Sequence, residues 1–204
     1  MPPTTTRRTA TLLLLAAALT ATGCSGGQAA NGSERSTTTT EVRMVMASDI
    51  PVAHTPPGFW IEFPDPVLST CTEPLVDGAP DMRGLWRVVE VTRAGTPVPD
   101  HTAIGLVQRI EQCGNRVVIT AGGIIHDMRA DGTAENGVND VAEGSGAPIT
   151  VVATFEDGVH VLRPVGVPGV EVRRRIEDGN LVWDYVGFTA RAERIGGPSD
   201  PVPA

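Results

Sequence analysis

From residue 84 onward the chain falls into short runs in which valine, isoleucine and leucine recur at alternate positions. Glycine-bearing turns interrupt these runs about every ten residues, the spacing of an antiparallel all-β domain. Predicted strands cover residues 85–92, 104–112, 116–120 and 123–129, a weaker one 133–141, then 149–155, 159–165, 170–176 and 181–191. Between them lie Cys113-Gly114-Asn115, Ala130-Asp131-Gly132-Thr133, Glu156-Asp157-Gly158 and Glu177-Asp178-Gly179-Asn180. Asp-Gly is a strong hairpin signal because both central residues of a type I′ turn need positive φ. In 170–176 the two faces separate cleanly: Val170, Val172 and Ile176 share one with Arg174, while Glu171, Arg173, Arg175 and Glu177 take the other. Hairpins in series make a meander. About eight strands over residues 84–195 predict a small up-and-down barrel, which leaves no sheet edge exposed.

Upstream, the alternation stops. Residues 44–83 mix Met44, Met46, Phe59, Trp60, Ile61 and Phe63 with many prolines, including Pro56-Pro57, Pro64 and Pro66. Proline at that density excludes helix and central strand, so an extended arm lying on the barrel is predicted. Its Gly58-Phe59-Trp60 reads either as a lid or partner-binding segment or as a plug over one end or edge of the sheet. Residues 24–43 are rich in Gly, Ser, Thr and Asn and predict a flexible tether, and 196–204 a disordered tail.

The first 23 residues follow the order of a secretory signal: Arg7 and Arg8, an apolar run from 12 to 19, then Ala21-Thr22-Gly23 before Cys24. The run is about half the roughly 20 residues needed to span a bilayer. Ala21-Thr22-Gly23-Cys24 resembles the lipobox of bacterial lipoproteins, although alanine stands where leucine is usual. That resemblance implies a diacylglycerol thioether on Cys24, cleavage before it, acylation in the manner of palmitate, and a place on the extracytoplasmic face of the cell membrane. A secreted protein with an incidental Cys24 is the alternative. One acyl chain binds a bilayer marginally, at about 0.8 kcal/mol per buried methylene, whereas two or three hold firmly.

Composition adds exclusions. The formal net charge is −8 and every basic residue is arginine. With the abundance of Ala, Gly, Pro and Val, this is the bias of a high-GC bacterial genome, such as an actinobacterial one. An acidic chain without a basic stripe is not built for nucleic acid, nor for electrostatic docking on anionic lipid. With Cys24 lipidated, Cys71 and Cys113 remain, and in an oxidising compartment they most simply form a disulfide. A paired metal site or a reactive thiol would need neighbouring ligands that the local sequence lacks.

Gly84-Leu85-Trp86 opens the first strand and resembles the Gly-x-Trp signature of lipocalins and their calycin relatives. The resemblance covers the last 110 to 120 residues or so. It implies a tryptophan that closes one barrel end with an arginine from the last strand across it, for which Arg191 and Arg194 are the candidates. An indole beside a guanidinium gains about 0.5–2 kcal/mol, depending on burial. It also implies room for a hydrophobic or amphipathic small molecule. The domain is shorter than a typical lipocalin and lacks a clear helix after its last strand.

Other chemistry finds little footing. Asp131, Glu135, Asn136, Asn139 and Asp140 do not follow the twelve-residue calcium-loop spacing, so a solvated hairpin is expected. His54, His101, His126 and His160 lack zinc spacing. Ser145 lacks the strand-turn-helix context of a hydrolase nucleophile. No metal, no cofactor and no enzymatic activity are expected. A catalytic reading would need a polar cluster in the barrel mouth, such as His126 with Asp127 or Arg174. Two functions remain: a barrel binding a hydrophobic or amphipathic ligand, or a closed barrel serving as an interaction or inhibitor module for an envelope protein. The side on which Trp183, Tyr185 and Phe188 lie separates them. Read as one strand, Trp183 and Tyr185 share a face and Phe188 takes the other.

Overall fold

The computed structural model describes residues 43–58, 62–142 and 148–203. The signal, Cys24 and nearly all of the tether lie outside the described residues, as do Phe59, Trp60, Ile61 and Ser145. Eleven strands follow: β1 Gly84–Arg93, β2 Thr96–Pro97, β3 Val107–Cys113, β4 Arg116–Ala121, β5 Ile124–Arg129, β6 Val138–Ala142, β7 Pro148–Glu156, β8 Val159–Pro164, β9 Val172–Glu177, β10 Asn180–Tyr185 and β11 Phe188–Gly196. Their order in the sheet is β5-β4-β3-β1-β11-β10-β9-β8-β7-β6, with β2 added to β1. Each pairing is antiparallel.

This is a meander whose last strand returns to its first, giving an all-β, nearly closed barrel consistent with a calycin-like fold. The seam lies between β5 and β6. It is partly stitched by the Arg129 N–H to Asn136 O at 3.0 Å and the Gly132 N–H to Ala153 O at 2.9 Å. The free edge of β5 is covered too, since the Thr55 hydroxyl accepts the Ile125 N–H at 3.0 Å and donates to the Ile125 carbonyl at 3.3 Å. An edge so covered cannot template pairing with another chain.

The strand count slightly exceeds the eight or nine expected. Residues 181–191 are two strands, β10 and β11, joined through Val186-Gly187, with Gly187 at φ 84°. Tyr185 pairs with Phe188 across this hairpin, so the two share a face, contrary to the single-strand parity. Two of the three Asp-Gly turns between strands behave as the sequence predicts, since Asp157-Gly158 and Asp178-Gly179 have positive φ at both positions. At Asp131-Gly132 only the glycine does, and the strands on either side, β5 and β6, do not pair as a hairpin.

Inside the barrel, Trp86, Val88, Ile110, Val117, Ile119 and Met128 meet Ala153, Leu181, Ala190 and Ala192 in one buried cluster. On β9 the predicted faces are seen: Arg174 is buried, while outside Arg163 bridges Glu156 and Glu171, and Arg175 pairs with Glu177 and Asp184.

A second, smaller cluster lies on the outer face of β3, β4 and β5, where Cys113, Val118 and Ile125 meet Ala47 and Leu68 from the proline-rich stretch. Those prolines leave backbone groups that no sheet can satisfy, and buried side chains of the barrel satisfy them instead. Glu111 accepts the N–H groups of Leu68 at 2.6 Å and Val67 at 3.0 Å, and burial raises its pKa against those two bonds. Cys71 and Cys113 form a disulfide, with Cα atoms 6.1 Å apart. Glu73, beside it, accepts the Ala47 N–H at 2.7 Å. Beyond the barrel, Arg109 donates to the carbonyl of Asp200, whose carboxylate accepts the Gly197 N–H.

Candidate functional site: a pocket in the barrel mouth

Even-numbered residues of β3, β5, β8 and β9 point inward, and near the β4–β5, β8–β9 and β10–β11 turns these side chains do not fill the barrel. They leave a pocket of about 250 Å³. Its walls are largely apolar, with Ile119, Ile124, Val151, Leu162, Val172 and Trp183 among them. This volume lies just under the ~300 Å³ at which ligand sites ordinarily begin, so the space suits a small guest.

Four polar side chains interrupt the apolar wall: Gln108, His126, Arg174 and the indole N–H of Trp183. Cross-strand pairing sets two of them, Arg174 and Trp183, in one row with His160. His160 on β8 is opposite Arg174 on β9, and Arg174 is opposite Trp183 on β10. The Arg174 guanidinium carbon sits 5.2 Å from the Trp183 ring centroid, and the His160 ring lies 5.6 Å from that of Phe155. Arg174 is 5% exposed, and its Nε and Nη1 have no hydrogen-bond partner among the described residues. The same holds for both ring nitrogens of His160, both amide atoms of Gln108 and the Trp183 Nε1.

Electrostatics follows from burial. Loss of solvent pushes the Arg174 pKa down to about 10, so the group stays cationic at neutral pH. Burial, and then the charge of Arg174, push the His160 pKa down to about 3, so His160 is neutral. Among the described residues no carboxylate pairs with Arg174, although paired arginines crowd the outer surface. A buried charge without a partner costs several kcal/mol, and buried polar groups are ordinarily hydrogen-bonded.

Trp183, Tyr185 and Phe188 gather at the mouth with ring centroids 5.3 to 5.5 Å apart, and His101 lies 4.5 Å from Phe188. The rim beyond them is apolar and exposed, through Val165, Val167 and Val186.

The sequence candidates separate. At the opposite end, where β1 begins and β11 finishes, the Arg194 guanidinium lies 4.4 Å over the Trp86 ring. Trp86 is fully buried and donates its indole N–H to the Met82 carbonyl at 2.8 Å. Gly84 has φ 155°, and a Cβ there would fall 3.1 Å from the Gly196 carbonyl oxygen and 2.7 Å from Arg194 Nη1, which would have to move. Arg191 does not take part: it points outward and pairs with Glu90 at 3.0 Å and Glu193 at 3.4 Å. His126 and Arg174 both line the pocket, but Asp127 faces the other way, into the outer cluster, paired with Arg116. His54 borders a separate polar groove beside Arg129 and Asn136. Asp131 is tied to its own turn through Thr133 and Asn136.

His160 and Gln108 were not singled out for the interior by sequence reasoning. Strand parity was the available signal, since His160 alternates with Leu162 and Gln108 with Ile110. No family model matches this chain, and no curated protein matches it.

Proposed function

We propose that the protein is an extracytoplasmic lipoprotein, anchored through Cys24, whose calycin-like barrel holds a small hydrophobic or amphipathic molecule. The pocket carries this reading: about 250 Å³ of largely apolar space inside a nearly closed barrel, interrupted by a few polar groups, Arg174 among them. An exposed apolar rim of Val165, Val167 and Val186 gives such a molecule an entry surface beside a membrane. Trp183 and Phe188 pack against the interior cluster, which supports a pocket over an aromatic partner surface, while Tyr185 stands exposed at the mouth. The signal and the sequence around Cys24 support the anchor.

Two measurements test the parts separately. Protein purified from its native membrane, extracted with solvent and analysed by mass spectrometry, is expected to release one stoichiometric amphipathic compound. Absence of any such compound, together with no uptake of an environment-sensitive fatty probe, would overturn the ligand reading. Cys24→Ser is expected in the soluble exported fraction, and continued membrane association of that variant would overturn the anchor.

A further inference from the structure

We infer that the ligand is a small apolar monocarboxylate, bound head-down with its carboxylate on Arg174. This rests on the pocket being a ligand site, as proposed above.

Three observations converge on that chemistry. The first is charge. Arg174 is a cation inside an apolar barrel, 5% exposed, with no carboxylate beside it among the described residues. One buried positive charge is balanced by one negative charge. A dianionic head would leave a surplus charge in the same apolar space, so a monoanion fits best.

The second is hydrogen-bonding capacity. Arg174 Nε and Nη1, Trp183 Nε1 and Gln108 Nε2 are donors on pocket-lining residues without a hydrogen-bond partner among the described residues. Against these stands the Gln108 carbonyl as an acceptor. A surplus of donors around one cation calls for an acceptor-only group, and an ionised carboxylate has two oxygens and no hydrogen to donate.

The third is the remaining wall. Ile119, Ile124, Val151, Leu162 and Val172 offer apolar contact alone, so the rest of the ligand is hydrocarbon. About 250 Å³ confines it to a short or medium chain, or a small ring. The Arg174 position is not an accident of strand composition. Its neighbours Arg173 and Arg175 pair with Glu171 and with Glu177 and Asp184 on the outer face, while Arg174 alone of the three lies inside.

Octanoate and octanol share a chain and differ in the head, so the pair tests the head group. Titration calorimetry on the full chain at neutral pH is expected to show octanoate binding about ten- to a hundredfold tighter than octanol, the range for a hydrogen-bonded ionic contact. In Arg174→Met that preference is expected to vanish or reverse, with octanol binding retained. Arg163→Met, on the outer surface, is expected to leave both affinities unchanged. Equal affinity for the two ligands in the unmodified protein, or an octanoate preference that survives Arg174→Met, would overturn the inference while leaving the pocket reading in place. Binding of neither would overturn both. Should Arg174→Met fail to fold, the octanoate-to-octanol ratio in the unmodified protein decides alone.

Discussion

Arg116 and Asp127 form a two-pronged ion pair, Nη2 to Oδ2 at 2.6 Å and Nε to Oδ1 at 2.8 Å, with side chains only 2% and 3% exposed. Three carbonyls of the proline-rich stretch complete the guanidinium: Ala47 and Ile50 on Nη1 and Pro51 on Nη2. The Ala53 N–H donates in turn to Asp127 at 2.8 Å. All five guanidinium protons are therefore used. A pair so placed repays its desolvation only when every group is satisfied, and removal of one partner strands the other.

Asp127→Asn is accordingly expected to cost about 3–5 kcal/mol, the range for breaking a buried pair. Arg116→Lys should rescue little, since an ammonium cannot span the two carboxylate oxygens and three carbonyls together. Urea unfolding measures the first, and limited proteolysis within residues 43–58 detects release of the segment. A loss under about 1 kcal/mol with unchanged proteolysis would mean that the pair does not hold the segment in place.

The Cys71–Cys113 bond fastens the same region at its other end, across a sequence separation of 42 residues. In the chain-entropy account a loop of that length contributes about 4 kcal/mol, with measured cases often smaller. Reduction is expected to lower the melting temperature and to sharpen cleavage before Met82, while far-ultraviolet dichroism of the barrel persists. Unfolding of the strands on reduction would show that the barrel depends on the bond, against this expectation.

Arg194 and Trp86 make a smaller, separable contribution. Arg194→Ala removes a guanidinium 4.4 Å above the ring and a hydrogen bond to the Arg83 carbonyl, an expected loss of about 1–2 kcal/mol. Trp86→Ala empties a fully buried site and is expected to cost about 3–5 kcal/mol. A double-mutant cycle should return about 0.5–1 kcal/mol of coupling, and none would reduce the contact to mere adjacency.

Much of the barrel could be read from the chain because a strand with one wet face writes its alternation into the sequence. On β9, Val172, Arg174 and Ile176 lie inside and Arg173 and Arg175 outside, as parity alone requires. The β10–β11 hairpin was hidden, because Val186-Gly187 lies within a run of strand-forming residues and lacks the Asp-Gly signature of the β7–β8 and β9–β10 turns. That single turn reversed the side assigned to Phe188. Arg194 over Trp86 followed a pattern of residue types, whereas choosing it over Arg191 needed the cross-strand register. Of the attachment of 44–83, only the Cys71–Cys113 bond could be read. Arg116 grips carbonyl oxygens, which every residue possesses, so side-chain identity could not reveal the partner. The pocket was half visible: Arg174 stood out on an apolar face, but its pairing with His160 depends on strand neighbours, and sharing a pocket with Gln108 depends on barrel closure.

His160 makes the interior answerable to pH. An ordinary histidine titrates near 6.5, whereas burial and the Arg174 charge hold the folded-state value at about 3. Between those values the unfolded chain binds a proton that the folded chain refuses, so stability rises with pH across the window. It is fully present above about 6.5 and is lost as the pH falls, by about 1.4 kcal/mol per unit from this group alone. Carboxylates elsewhere titrate over part of the same range, so the informative quantity is the difference between the unmodified protein and His160→Leu. Leucine removes the titration and two buried nitrogens that lack protein partners. Unfolding free energies from urea titrations at pH 7, 6, 5 and 4 are expected to fall more steeply for the unmodified protein, with the difference between the curves changing by about half that slope from pH 7 to 6 and by close to it at each later step. Parallel curves would mean that His160 takes up its proton in the folded barrel, and the row it forms with Arg174 would then carry two positive charges rather than one.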